Sequence, residues 1–287
     1  MTLYGAVEIG GTKTDLAVGT SPDDMAQPTR IPTTDPDETL GEIARYFLDR
    51  AVAAVGIASF GPLELDRSSR RFGTMLTTPK PGWTGVPVYE RLRAAIGAPV
   101  VLDTDVNGSA LGEGAWGAAR GMGNYVYVTV GTGIGAGVVV GGQTIGGRSG
   151  HPEMGHIVVS RHPDDPHGGT CPYHGDCLEG MAAGPALEAR FGAPETWAGN
   201  DNVTEIAVHY LAQAMVGLLY TATPERIVVG GGVSKLAGLH DRLRTRTETL
   251  IAGYPKTLDM DLLISKPGLG DRAGLAGALI LAASGVP

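Results

Sequence analysis

A strand, glycine turn and strand recur about 120 residues apart, and this repeat constrains the chain more than any other feature. Tyr4-Gly-Ala-Val-Glu-Ile-Gly-Gly-Thr-Lys-Thr-Asp-Leu-Ala-Val-Gly19 reads as a β-hairpin, and Asn124-Tyr-Val-Tyr-Val-Thr-Val-Gly-Thr-Gly-Ile-Gly-Ala-Gly-Val-Val-Val-Gly141 echoes it, with Gly10 and Gly131 in matching places. Such an echo suits two related lobes facing each other across a cleft. Glycine makes up 45 of the 287 residues, roughly twice ordinary usage, and shows no collagen period. That surplus predicts tight turns and close backbone approaches.

Between the echoes the periodicity alternates. Asp35-Pro36-Asp37-Glu38 gives an N-cap, a proline at the first helical position and an acid three residues after the cap. Leu40, Ile43, Ala44, Phe47 and Leu48 then repeat at helical spacing. Ala51 to Ser59 reads as a buried strand, Val88 to Ile96 as a helix, and Val100 to Leu102 as a strand entering Asp103-Thr104-Asp105. Asn107 is a suitable N-cap for a helix from Gly108. Ile206, Tyr210, Leu211, Ala214, Met215, Leu218 and Leu219 mark a long helix, Arg226 to Val229 a strand entering a glycine turn, and Ala273 to Ser284 an apolar packing helix. The class predicted is α/β.

Lys plus Arg is 22 against 30 for Asp plus Glu, a net charge of −8, which argues against a nucleic-acid surface. The start Met1-Thr-Leu-Tyr-Gly-Ala lacks the basic, then apolar pattern of a secretory signal, so a cytoplasmic protein is expected. The uncharged stretch from Gly121 to Gly147 is punctuated by glycines, unlike a membrane helix, and no membrane partner is expected.

Gly131-Thr-Gly133-Ile-Gly-Ala136 satisfies the dinucleotide pattern after a strand, but strand formers follow it where that fingerprint needs a helix. No Gly-Lys pair exists, which removes the P-loop pattern. Three turns, Gly10-Gly11, Gly131 to Gly137 and Gly230-Gly231-Gly232, each follow a strand and offer backbone N–H groups to phosphate, with Thr12, Lys13 and Thr132 as added donors. Read singly, each is equally a hairpin turn needing a positive φ.

Both cysteines and five of the seven histidines lie between His151 and Cys177. Cys171-Pro-Tyr-His174-Gly-Asp-Cys177, with His156 upstream, forms a Cys₂His₂ set suited to a closed, structural Zn²⁺ site. A Cys171–Cys177 disulfide is the competing reading, disfavoured in a reducing cytosol. His151, His162 and His167 are then loop residues or spare polar contacts. Asp103 and Asp105, at a strand end, fit either helix capping or the acceptance of a hydroxyl proton. Glu153 and Glu179 flank the metal cluster, facing either a ligand pocket or solvent.

Taken together, Glu8-Ile-Gly-Gly-Thr-Lys13, Asp103-Thr-Asp-Val-Asn107, Gly131-Thr-Gly-Ile-Gly135, His151-Pro-Glu-Met-Gly-His156, Cys171-Pro-Tyr-His-Gly-Asp-Cys-Leu-Glu179 and Gly230-Gly-Gly-Val233 resemble the ROK family of sugar kinases over essentially the whole chain. Ala58-Ser-Phe-Gly-Pro62 and Thr78-Pro-Lys-Pro-Gly-Trp83 resemble its fructokinase branch. The resemblance implies a two-lobed, actin-like (ribonuclease H-like) fold with ATP and sugar in a central cleft. Its lobes are expected at 1–115 plus 268–287 and at 116–267, the second holding the zinc loop.

The same resemblance assigns Asp105 as the base for the sugar 6-hydroxyl, with Thr104, Glu153, His156 and Glu179 at sugar-contacting positions. Gly10, Gly11, Thr12, Lys13, Thr132, Gly133, Pro185, Gly230, Gly231, Gly232, Val233 and Lys235 match positions near ATP. The zinc, on His156, Cys171, His174 and Cys177, fixes the sugar loop. ATP with Mg²⁺ is the expected cofactor, a hexose the substrate and a homodimer the assembly. Glu8 and Thr104 stand where many members carry Asp and Asn, which favours fructose over glucose, with mannose the nearest alternative. Of two non-enzymatic readings, a sugar-responsive regulator lacks room before the first turn for a helix-turn-helix. An actin-like filament protein does not account for the metal loop.

Overall fold

The computed structural model describes residues 2–146, 150–255 and 258–286, so Gly147, the end of the long uncharged stretch, lies outside the described residues. The chain divides into two compact units, residues 1–120, 144–152 and 268–287 in one, residues 121–143 and 153–267 in the other. The division therefore falls after Arg120, and residues 144–152 return to the first unit, a short excursion with no signal in the sequence.

The first unit opens with β1 (Tyr4–Ile9) and β2 (Lys13–Gly19), antiparallel from Tyr4↔Gly19 to Ile9↔Thr14. β3 (Thr29–Pro32) extends the hairpin, α1 (Pro36–Phe47) crosses over, and β4 (Val55–Ser59) runs parallel to β1. After α2 (Val88–Ala95) comes β5 (Val100–Thr104), parallel to β4, then α3 (Asp105–Trp116). The sheet order is β3-β2-β1-β4-β5. Asp35 caps α1 by accepting from the N–H groups of Asp37 and Glu38, as its position predicts. Leu48, assigned to the apolar face, is instead exposed just past the helix end.

The second unit repeats that plan. β6 (Tyr125–Val130) and β7 (Ile134–Val140) form an antiparallel hairpin, and β8 (Gln143–Thr144) is the edge. A long excursion carrying α4 (Leu178–Ala182), α5 (Gly184–Phe191) and α6 (Asp201–Ala222) leads to β9 (Arg226–Gly230), parallel to β6. α7 (Leu239–Ile251) and α8 (Met260–Leu263) precede β10 (Ile264–Ser265), parallel to β9. Read from its β8 edge the order is β8-β7-β6-β9-β10, the same hairpin-first order as in the first unit. The echo between the two hairpins is thus an echo of whole sheets.

α6 is long and apolar enough by composition to cross a bilayer, but most of it is buried. Val203, Ala207, Leu211, Met215 and Leu218 pack with Val126, Val128 and Val229 in the second unit's core.

The last helix, α9 (Ala273–Ser284), belongs to the first unit. Period-two alternation prepares its seat. Val7, Ile9 and Ile57 point into the large-residue core with Ile43 and Leu92, while Ala6 and Ala58 cluster with Leu275, Ala278 and Leu279 of α9. Glycines then let backbones touch. A Cβ on Gly277 would stand 1.6 Å from the Gly108 carbonyl of α3, and one on Gly56 would stand 1.8 Å from the Ala278 carbonyl. α9 therefore lies directly on β4 and α3, with no side chain between.

Candidate active site

In the first unit the turn after β1 is closed by Gly10 N–H donating to the Lys13 carbonyl at 2.9 Å. Neither Gly10 nor Gly11 has a positive φ, so the simple hairpin reading does not explain these glycines. A Cβ on Gly10 would crowd the Lys13 carbonyl at 3.0 Å, while nothing lies within 4 Å of one built on Gly11, where the turn presents an open backbone cradle. Thr12 and Lys13 are exposed beside it. Lys13 Nζ lies 3.7 Å from Asp15, whose buried carboxylate is also held bidentately by Arg30 at 2.7 and 2.8 Å.

Glu8 sits on the alanine-rich face of β1, where the start of α9 closes over it, and a Cβ on Gly274 would come within 2.3 Å of its carboxyl carbon. Burial, then the charges of Asp105 and Asp15, push the Glu8 carboxyl up to about 7. Glu8 and Asp105 therefore share one electrostatic neighbourhood. Asp105 is the first residue of α3, directly beyond β5, and its Oδ1 accepts from the Val106 N–H at 2.9 Å.

α3 begins at Asp105 rather than Gly108, because Thr104, not Asn107, is the N-cap. Its hydroxyl accepts from the Asn107 N–H at 3.3 Å. Thr104 is fully buried in that duty. Asn107 instead donates through Nδ2 to Asp103 Oδ1 at 2.8 Å. Burial raises the Asp103 carboxyl against the lowering effect of that bond.

In the second unit the turn after β6 is one residue shorter, closed by Gly131 N–H donating to the Gly133 carbonyl at 2.9 Å. Its glycines also lack positive φ, and the Cβ position of Gly131 is open. Thr132 is exposed at its tip. Gly184 N–H donates to the Gly131 carbonyl at 2.7 Å, which brings the start of α5, with Pro185, to this turn. The turn after β9 behaves differently. Gly231 has φ +87° and a Cβ there would meet the Val130 backbone at 2.4 Å, so only glycine fits, while Gly232 faces open space. Val233–Lys235 form a single 3₁₀ turn beyond it. Gly230 packs against the Tyr127 hydroxyl and Pro267 and acts as a packing residue.

The metal set assembles. One ligand atom from each of His156, Cys171, His174 and Cys177 lies within 4.8 Å of all the others. Cys171 Sγ is 3.7 Å from both His156 Nδ1 and His174 Nδ1, and Cys177 Sγ is 3.6 Å from His156 Nδ1. Tetrahedral Zn²⁺ with its usual bond lengths places sulfur and nitrogen about 3.6 Å apart. The donor set, two thiols and two imidazoles, fits that ion, and both cysteines are free thiols, not a disulfide. Burial pushes the Cys177 thiol up to about 11, so a cation there must displace its proton on binding.

Around this cluster, burial is the chief cause of the raised Glu153 carboxyl, which His156 lowers and the charge of Glu179 raises further. Glu179 follows Cys177 at the start of α4, and its Oε2 accepts from the Ile134 N–H at 2.9 Å.

Two polar networks had no readable signal in the sequence, because their partners are far apart along it. Asp165, within the metal loop, accepts from the Tyr210 hydroxyl of α6 at 2.7 Å and pairs with Arg190 of α5 at 3.2 Å. Both charged side chains are buried. In the first unit the fully buried Glu113 of α3 accepts from the N–H groups of Ala118, Gly268 and Leu269. It ties the end of α3 to the segment that leads into α9. His151, expected to be a loop residue or spare polar contact, lies outside the helices and strands and is buried, and burial takes its imidazole down to about 4.

A repeated hairpin-first sheet with open glycine turns, a strand-end aspartate and a Cys₂His₂ loop define an actin-like sugar kinase fold. The sequence matches the ROK family over residues 4–284, and the chain belongs to that family. It is 45% identical to a fructokinase from Zymomonas mobilis subsp. mobilis, over 98% of this chain and 96% of that one. It is 39% identical to a fructokinase from Pediococcus pentosaceus, over 98% and 97%. Among solved structures, a ROK family glucokinase from Streptomyces griseus, in complex with glucose and AMPPNP, superposes with a TM-score of 0.80 at 25% identity, covering 99% of this chain and all of that one.

Proposed function

We propose that this protein is a fructokinase that transfers the γ-phosphoryl group of ATP to the 6-hydroxyl of D-fructose. The observation that carries the choice of sugar is the near full-length likeness to fructokinases, with the glucokinase structure more distant in sequence. Asp105 takes the proton of the 6-hydroxyl as the oxygen attacks phosphorus and ADP leaves. It stands at the helix start, directly beyond β5. Glu153, His156 and Glu179 hold the sugar hydroxyls. His156 spends Nδ1 on the metal set and keeps Nε2 for a hydroxyl.

The turns at Gly10–Lys13 and Gly131–Gly133, with Pro185 and the Gly231–Lys235 segment, hold the nucleotide through backbone N–H groups and the Thr12, Thr132 and Lys13 side chains. The open Cβ positions at Gly11, Gly131 and Gly232 support this reading. Mg²⁺, when bound with ATP, would neutralise phosphate charge. Zn²⁺ on His156, Cys171, His174 and Cys177 preorganises the sugar loop. The units defined by contact serve as the two lobes, and a cytoplasmic homodimer completes the proposal.

The test is ADP release with ATP and Mg²⁺ across fructose, mannose, glucose and N-acetylated hexosamines. Turnover highest on fructose is expected. Turnover highest on mannose or glucose overturns the choice of sugar, and none on any hexose overturns the kinase reading.

A further inference from the structure

Glu179 belongs to the sugar side of the proposed site, yet its carboxylate is spent on the nucleotide side. Oε2 accepts from the Ile134 N–H at 2.9 Å, the residue that ends the Gly131–Gly133 turn. A Cβ on Gly133 would lie 2.7 Å from that same oxygen, so the missing side chain there is what lets the carboxylate reach the turn. Two residues upstream, Cys177 anchors the start of α4 in the metal set. At the other end of this short segment Gly184 N–H donates to the Gly131 carbonyl. The Cys177–Gly184 segment therefore grips both sides of the turn, by the Glu179 side chain on one and the Gly184 N–H on the other.

Resting on the kinase reading, we infer that Glu179 is a positioning residue for the nucleotide turn as well as a sugar contact. One oxygen holds the Gly131–Ile134 backbone in its phosphate-binding shape, and the other meets the sugar. A charged acceptor on a backbone N–H is the stronger kind of hydrogen bond, so its loss is felt beyond the sugar. Sugar and nucleotide thereby share one carboxylate, and occupancy of either site stiffens the support of the other.

The experiment uses the full-length, zinc-loaded protein and titrates Mg²⁺-ADP by calorimetry with no sugar present, alongside steady-state kinetics and zinc analysis. Glu179→Ala, with zinc retained, is expected to weaken ADP binding about tenfold. Glu179→Gln keeps an acceptor oxygen for Ile134 and is expected to restore ADP binding to within about threefold, while the KM for fructose stays raised. Gly133→Ala serves where Glu179→Ala misfolds. By crowding Oε2 it is expected to raise the KM for fructose, although the sugar does not touch Gly133. ADP binding unchanged in Glu179→Ala, with only the KM for fructose raised, overturns the inference and leaves the kinase reading standing. Glu179→Ala changing neither ADP binding nor any fructose parameter overturns the placement of Glu179 at the sugar as well.

Discussion

In the first unit α1 alone joins β3 to β4, and a long irregular segment, residues 60–87, precedes α2 and β5. The second unit keeps the same sheet order but inserts the metal loop, α4 and α5 before its crossover helix α6. The means of closure differ accordingly. The first unit is sealed by backbone contact, with α9 seated on glycines of β4 and α3 and Glu113 gathering three loop N–H groups. The second is sealed by polar fastenings, a Cys₂His₂ set and a buried Asp165–Arg190–Tyr210 network. One sheet plan thus supports a unit closed by backbone contact and a unit closed by polar side chains.

Four perturbations sharpen this contrast. Removing the metal, by chelation or Cys177→Ser, is expected to abolish turnover and to destabilise the second unit by about 4 kcal/mol, as for a ligand held at a thousandfold excess over its Kd. Hydrogen exchange is then expected to rise over residues 153–180 and not in β1, β4 or α9. Uniform loosening of both units contradicts the division. Asp165→Ala leaves Arg190 buried without its partner and is expected to cost about 3 to 5 kcal/mol in denaturant unfolding, with zinc affinity reduced. In the first unit, Gly277→Ala drives a methyl into the Gly108 carbonyl and is expected to cost about 3 kcal/mol with zinc content unchanged.

The smallest effect is a pH dependence. The Glu8 carboxyl titrates near 7 in the folded chain, above its ordinary value, so the folded state binds the proton more tightly than the unfolded one. Its contribution is fully present below about pH 4.5 and is lost as pH rises through about 7. Glu8→Gln is expected to flatten the slope of stability between pH 5 and 7.5, read from urea midpoints without nucleotide. An unchanged slope in the variant removes Glu8 as its source.

Much of this organisation was legible from the chain. The hairpin echo foretold the repeated sheet, the Asp35-Pro36 cap placed α1 to the residue, and cysteine and histidine spacing marked the metal set. Each of these signals is local, written in a turn, a cap or a loop. What escaped is long-range. Asp165 meets Arg190 and Tyr210 only after α5 and α6 are packed, and Glu113 meets Gly268 across most of the sequence. Thr104 displaced Asn107 as the cap because β5 runs two residues longer than its apolar core suggested, which moves the helix start to Asp105. The glycines misled in a useful way. A positive φ accounts for Gly231 but not for Gly10, Gly11 or Gly131; a Cβ on Gly10 would crowd the Lys13 carbonyl at 3.0 Å, while Gly11 and Gly131 face open space.

The central claim is that the first unit supplies the base and the second the binding loop. Asp105→Asn tests it most directly, with fructose-dependent ADP release, Mg²⁺-ADP affinity and zinc content measured on the same preparation. The account predicts turnover down about a thousandfold, within the range for loss of a general base. Nucleotide affinity and zinc content should stay as in the parent protein. Turnover retained within a few-fold would contradict it, because the proton is then accepted without Asp105.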